Sequence, residues 1–69
     1  MSDKGNSRIV FNFRKMANTT DYRAAKWERE SKKLSRTDRE LSDYYAKIAE
    51  DMRQDARVYR RLAKELAQP

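Results

Sequence analysis

The 69-residue chain contains no cysteine and no histidine, a single glycine at position 5, a single proline at position 69, and only two Phe and one Trp. Each shortage excludes something. Without Cys there is no disulfide to staple so short a chain, and without Cys or His there is no zinc site, so no metal or other cofactor is expected. A glycine confined to residue 5 leaves no Gly-rich loop to cradle a phosphate, and the carboxylates alternate with bases in a pattern that gives nothing to raise a pKa. Catalysis and a small-molecule substrate are therefore not expected. No apolar run approaches the roughly 18 residues of a membrane span, and M-S-D-K-G-N-S at the start lacks a signal peptide's apolar region. With zero Cys, this points to the reducing cytoplasm.

What is present is charge. Charged residues make up 41% and mean hydropathy is -1.22, close to disordered composition, so helices must rest on periodicity and on a partner, with a homodimer the default. The net charge of +6 is uneven: residues 1–36 carry ten Lys/Arg against four Asp/Glu, 37–52 sum to -3, and 53–69 to +3. A basic front, an acidic middle and a basic tail suggest a polyanion partner and a separate site that need not touch it.

Residues 1–7 read as a disordered tail and 8–69 as one small domain, mostly α-helical. In Arg8 to Arg14, Ile9, Phe11 and Phe13 alternate with Val10 and Asn12, the period of a strand. Asn18 or Thr19 then caps a first helix running to about Lys33, whose burial depends on Trp27. Thr37-Asp-Arg-Glu40 has the form of a capping box and opens a second helix of about 30 residues. Its apolar seam is Leu41, Tyr45, Ile48, Met52, Tyr59, Leu62 and Leu66, interrupted by Asp55, which is either a register-setting polar group or the point where packing on the first helix gives way to contact with a partner. Basic stripes recur on both helices, Lys26, Arg29 and Lys33 beside Tyr22 on the first and Arg53, Arg57, Arg60, Arg61 and Lys64 on the second. Clustering of this kind serves phosphate neutralisation. Glu28 with Lys32 and Asp43 with Lys47 read as helix-supporting pairs.

A lone strand leaves its backbone groups open, and pairing with the same strand of a second copy would close them as a two-stranded ribbon. Phe11-Asn12-Phe13-Arg14 followed by two helices resembles the ribbon-helix-helix repressors of the Arc and Mnt type. That resemblance implies a DNA-binding dimer and a transcription regulator. Val10, Asn12 and Arg14, with Lys15 beside them, would face the major groove, and Ser35 or Thr37 would hold a phosphate. Thr37 to Tyr45, T-D-R-E-L-S-D-Y-Y, is similar instead to the start of the long helix in the Hha/YmoA family of nucleoid-protein modulators. That second resemblance implies a helix over Arg8 to Lys15 and a protein partner in the transcription machinery, met through Asp43, Tyr44, Glu50 and Asp51.

Overall fold

A computed structural model describes the backbone of residues 2–68 and the side chains of residues 6–68. Two helices, α1 (Ser2–Leu34) and α2 (Arg39–Ala67), fold into an antiparallel hairpin. The rod measures 56 × 13 × 10 Å, close to the roughly 50 Å that a helix of α1's length spans. The turn between them is short. The Leu34 carbonyl accepts from the N–H groups of Thr37 (3.2 Å) and Asp38 (2.8 Å), and Asp38 caps α2 by accepting the Leu41 N–H at 3.1 Å. The cap therefore falls one residue after the expected Thr37, and the Thr37–Glu40 capping box is not what opens this helix.

Small residues hold the helices together. Val10, Ala17, Ala24 and Ser31 on α1 recur every seven residues and are all buried, and so do Ser42, Ala49, Ala56 and Ala63 on α2. A seven-residue repeat on both helices is the pattern of a coiled coil, and side chains as small as those of Ala and Ser let the backbones approach closely. Ser31 and Ser42 set the register beside the turn. The Ser31 Oγ donates to the Ser42 carbonyl (2.7 Å), the Ser42 Oγ donates to the Ser31 carbonyl (2.8 Å), and the two Oγ atoms lie 3.1 Å apart. That register brings Ala24 opposite Ala49, Ala17 opposite Ala56 and Val10 opposite Ala63. Two hydroxyls are thus buried at the helix contact with their hydrogen bonds made.

Large side chains are pushed to one side of this seam. Phe13 stacks on Tyr59 with centroids 6.2 Å apart, and Trp27 tilts against Tyr45 at 4.9 Å. Helical spacing places Ile9, Met16, Thr20 and Leu34 along the same flank of α1, and Leu41, Ile48, Met52, Leu62 and Leu66 along that of α2. No large side chain among the described residues is fully buried. The expected seam of Leu41, Tyr45, Ile48, Met52, Tyr59, Leu62 and Leu66 is therefore the apolar flank; its Tyr45 and Tyr59 pack on α1, and the fully buried line of small residues runs beside it. Asp55 is exposed at the edge of that flank and interrupts no core.

Residues 8–14 are helical, and no strand occurs among the described residues. The period-two reading fails because the three alternating residues do not share a face: Ile9 and Phe13 reach the apolar flank, Phe11 turns to solvent at 65% exposure, and Val10 between them enters the seam. Asn18, Thr19 and Asp21 sit inside α1 and start nothing, since no Pro or Gly interrupts the chain between Gly5 and Pro69. The backbone of Ser2 to Ser7, expected as a disordered tail, belongs to α1.

The seam makes a volume test possible. Ala24→Leu should lower stability by about 1–3 kcal/mol, since a larger side chain has nowhere to go where two backbones touch, whereas Ala46→Leu on the exposed side of α2 should stay within about 0.5 kcal/mol. Thermal unfolding of both variants checks this, and equal melting would mean the helices do not meet at Ala24.

Candidate nucleic-acid interface

Folding the chain back on itself re-sorts its charge. The half of the rod away from the turn, residues 6–20 with 53–68, holds Arg8, Arg14, Lys15, Arg53, Arg57, Arg60, Arg61 and Lys64 against only Asp55 and Glu65. The half that carries the turn, residues 21–52, has eight cations and eight anions. The whole +6 therefore lies in the open half. Within the turn half the signs still separate sideways: Lys26, Arg29 and Lys33 lie on the outer side of α1, while Asp43, Glu50 and Asp51 lie on the outer side of α2. All six are exposed.

Not every cation of the open half is free. Opposite the apolar flank, Arg53 grips Glu28 through two nitrogens, Nη2 to Oε1 at 2.7 Å and Nε to Oε2 at 3.4 Å, and reaches Asp21 Oδ1 at 3.2 Å. Arg60 pairs with Asp21 Oδ2 and also donates to Asn18 Oδ1 at 3.2 Å. The stripe expected on α2 thus divides. Arg53 and Arg60 tie the helices to each other, while Arg57, Arg61 and Lys64 stay exposed. Glu28, expected to support α1 through Lys32, is held mainly by Arg53 of α2, with the Lys32 charge a lesser influence. Where α1 and α2 meet on this side, Arg14, Asn18, Arg60 and Lys64 line an open cleft of about 310 Å³.

The other expected site residues scatter. Val10 is buried in the seam and cannot face a ligand. Asn12 and Arg14 are exposed, but two residues apart on a helix they point about 200° apart, so they cannot read neighbouring bases together as a strand's residues would. Lys15 is exposed on the outer side of α1. Ser35 donates its hydroxyl to the Lys32 carbonyl at 2.9 Å, and Thr37 lies in the turn; both are at the neutral end, far from the basic cluster. Tyr44, at 61% exposure, lies near Asp43, Glu50 and Asp51 on the solvent side of α2. Asp21 and Glu28 were missed as partners of the α2 arginines. The signal was their heptad relation, Arg14, Asp21 and Glu28 every seven residues facing Arg53 and Arg60 every seven.

The ion pairs leave an electrostatic signature. The hydrogen bond from Arg60 holds the Asp21 carboxyl below the usual Asp range against a smaller burial effect, with Arg53 adding to it. The bond from Arg53 does the same for Glu28, and the Arg53 guanidinium is held more firmly protonated by Glu28 and Asp21. Among the described residues no group of three acidic, Cys or His side chains is placed to hold a metal ion, and no helix is long and apolar enough to cross a membrane. Comparison of the chain with protein-family models, with curated proteins and with solved structures gave no match.

A carboxylate whose pKa falls on folding stabilises the folded state above its unfolded pKa, and that contribution disappears as pH falls through the lowered folded value. The hairpin should therefore lose stability as the solution is acidified below about pH 4, the ordinary carboxylate range. Asp21→Asn should flatten this acid limb and lower stability at neutral pH by the same small amount, about 0–1 kcal/mol for a partly exposed pair of this kind. Melting temperature against pH for both proteins is the measurement; an unchanged acid limb in the variant would show that Asp21 is not linked to folding.

Proposed function

We propose that this protein is a small, non-catalytic regulator of transcription in the cytoplasm that binds duplex DNA through the open half of the hairpin. The observation that supports the reading is the gathering of the entire +6 charge at one end of the rod, from two segments that are far apart in sequence. Arg8, Arg14, Lys15, Arg57, Arg61 and Lys64 are the exposed cations of that end. Duplex DNA presents phosphates every few ångströms and rewards such a cluster through counterion release. Contact is with phosphates, in a manner indifferent to base sequence, because the Asn12 and Arg14 side chains diverge on α1 and the ribbon that would have carried base readout has no strand to build it.

The second reading, a protein-binding modulator of the transcription machinery, draws on a specific observation of its own: Arg8 to Lys15 are helical, as the likeness to the Hha/YmoA family implied. Its surface is the acidic outer side of α2 at the neutral half, with Asp43, Tyr44, Glu50 and Asp51. Charge reversal there should abolish a basic partner's binding and leave DNA affinity unchanged or raised.

Titration of fluorescent duplex DNA at several salt concentrations tests the main reading. Replacing Arg57, Arg61 and Lys64 together by Ala should reduce the slope of log affinity against log salt by about 2.7, at about 0.9 per phosphate contact. The triple change of Lys26, Arg29 and Lys33 to Ala should alter it far less. Failure to bind DNA at low salt overturns the proposal, and a larger effect from the α1 triple would move the interface to the outer side of that helix.

A further inference from the structure

We infer that the apolar flank is the contact face for a second copy of this chain, so that two hairpins stack into a four-helix bundle with each alanine seam kept inside its own hairpin. The inference does not rest on DNA binding: of the cations proposed to meet phosphate, only Lys15 borders the flank's groove.

Area carries the first step. The hairpin exposes 5848 Å². A compact monomer of its 8.3 kDa would expose about 4,600 Å². The excess is about 1,200 Å², more than the roughly 800 Å² that each partner contributes to a stable interface of standard size. Chemistry carries the second. The seam removes only small side chains from water, so much of the aromatic and aliphatic bulk stays partly exposed on the flank, and at its edge Met16 and Tyr59 share an open groove with the polar Asn12, Lys15, Thr19, Thr20 and Arg23. Two such faces brought together give the layer of large side chains that a bundle core requires.

Charge chooses a second copy over a strongly charged partner. The ionised side chains on the flank's helical positions are Arg23, Glu30 and Asp55, a net of -1 on a molecule of +6. Along the open half a copy meets like charge; on the flank it meets nearly none. The exposed Phe11 and Tyr22 lie on the outer side of α1 among Arg8, Lys15 and Lys26, where a second cationic copy is repelled.

Met16 and Leu62 give the test, because they are 43% and 36% exposed in the single hairpin and so can be changed with little harm to it. In sedimentation at tens of micromolar the parent should run at twice 8.3 kDa, and Met16→Glu with Leu62→Glu should run at 8.3 kDa with its helical circular dichroism kept. Phe11→Ser with Tyr22→Ser should remain a dimer. Should the glutamate variant lose its helix, the parent's melting temperature decides, since it rises with protein concentration only where folding is coupled to association. A parent that is monomeric and melts independently of concentration overturns the inference. So does a folded glutamate variant that stays dimeric, or a Phe11/Tyr22 variant that dissociates.

Discussion

The close contact of two helices through alanine and serine governs everything else in this molecule. With side chains this small at every seventh position, the seam has no room for a Leu or a Phe, and the large residues of the chain must stand to one side of it. Dispersion between closely packed backbones and small side chains takes the place of a hydrophobic core. Register then matters at the level of single residues, because a shift of one position would set Ile48 or Glu50 in the place of Ala49. The Ser31–Ser42 exchange holds that register where the turn begins, and misalignment would leave two buried hydroxyls unsatisfied.

Dividing the side chains around a narrow seam gives the hairpin two unlike flanks. One carries Phe13, Trp27, Tyr45 and Tyr59, the other Asp21, Glu28, Arg53 and Arg60. The ionic flank adds little net stability, since its groups are a quarter to nearly half exposed and each pair is screened by water. Its effect is on selection. The two carboxylates of α1 lie where the two arginines of α2 reach them, and a register or facing that parted them would set cations against cations on a chain already at +6.

Much of this was legible in the sequence, and the rest was hidden for identifiable reasons. The two-helix architecture follows from the absence of Pro and Gly between positions 5 and 69 and from the strong four-and-three spacing after Leu41. The contact face was missed because apolar periodicity is scored by large residues, and here the large residues mark the flank; the heptads of Val10, Ala17, Ala24, Ser31 and of Ser42, Ala49, Ala56, Ala63 are equally regular but chemically quiet. The strand reading of residues 8–14 rested on seven residues whose alternation also suits a helix once Val10 is seen as the first member of a longer repeat. Charge was legible only as three blocks along the chain, and its concentration at one end depends on which blocks folding brings side by side.

An antiparallel hairpin is what turns those blocks into a surface. The cations of residues 6–20 and those of 53–68 are separated by more than thirty residues, yet reversal at Ser35 to Asp38 returns the tail alongside them and sets the acidic segment 37–52 against the cations of α1 near the turn. Neutral and cationic halves then coexist on one rod without a second domain. If two copies meet through the apolar flank, each brings its own cationic end into one particle, and the second end engages phosphate at a high effective concentration once the first has bound. The alanine seam would then underlie both surfaces: by excluding large side chains from the hairpin's interior it leaves an apolar face for self-association, and by keeping the rod thin it leaves the exposed cations of both helices within reach of one duplex.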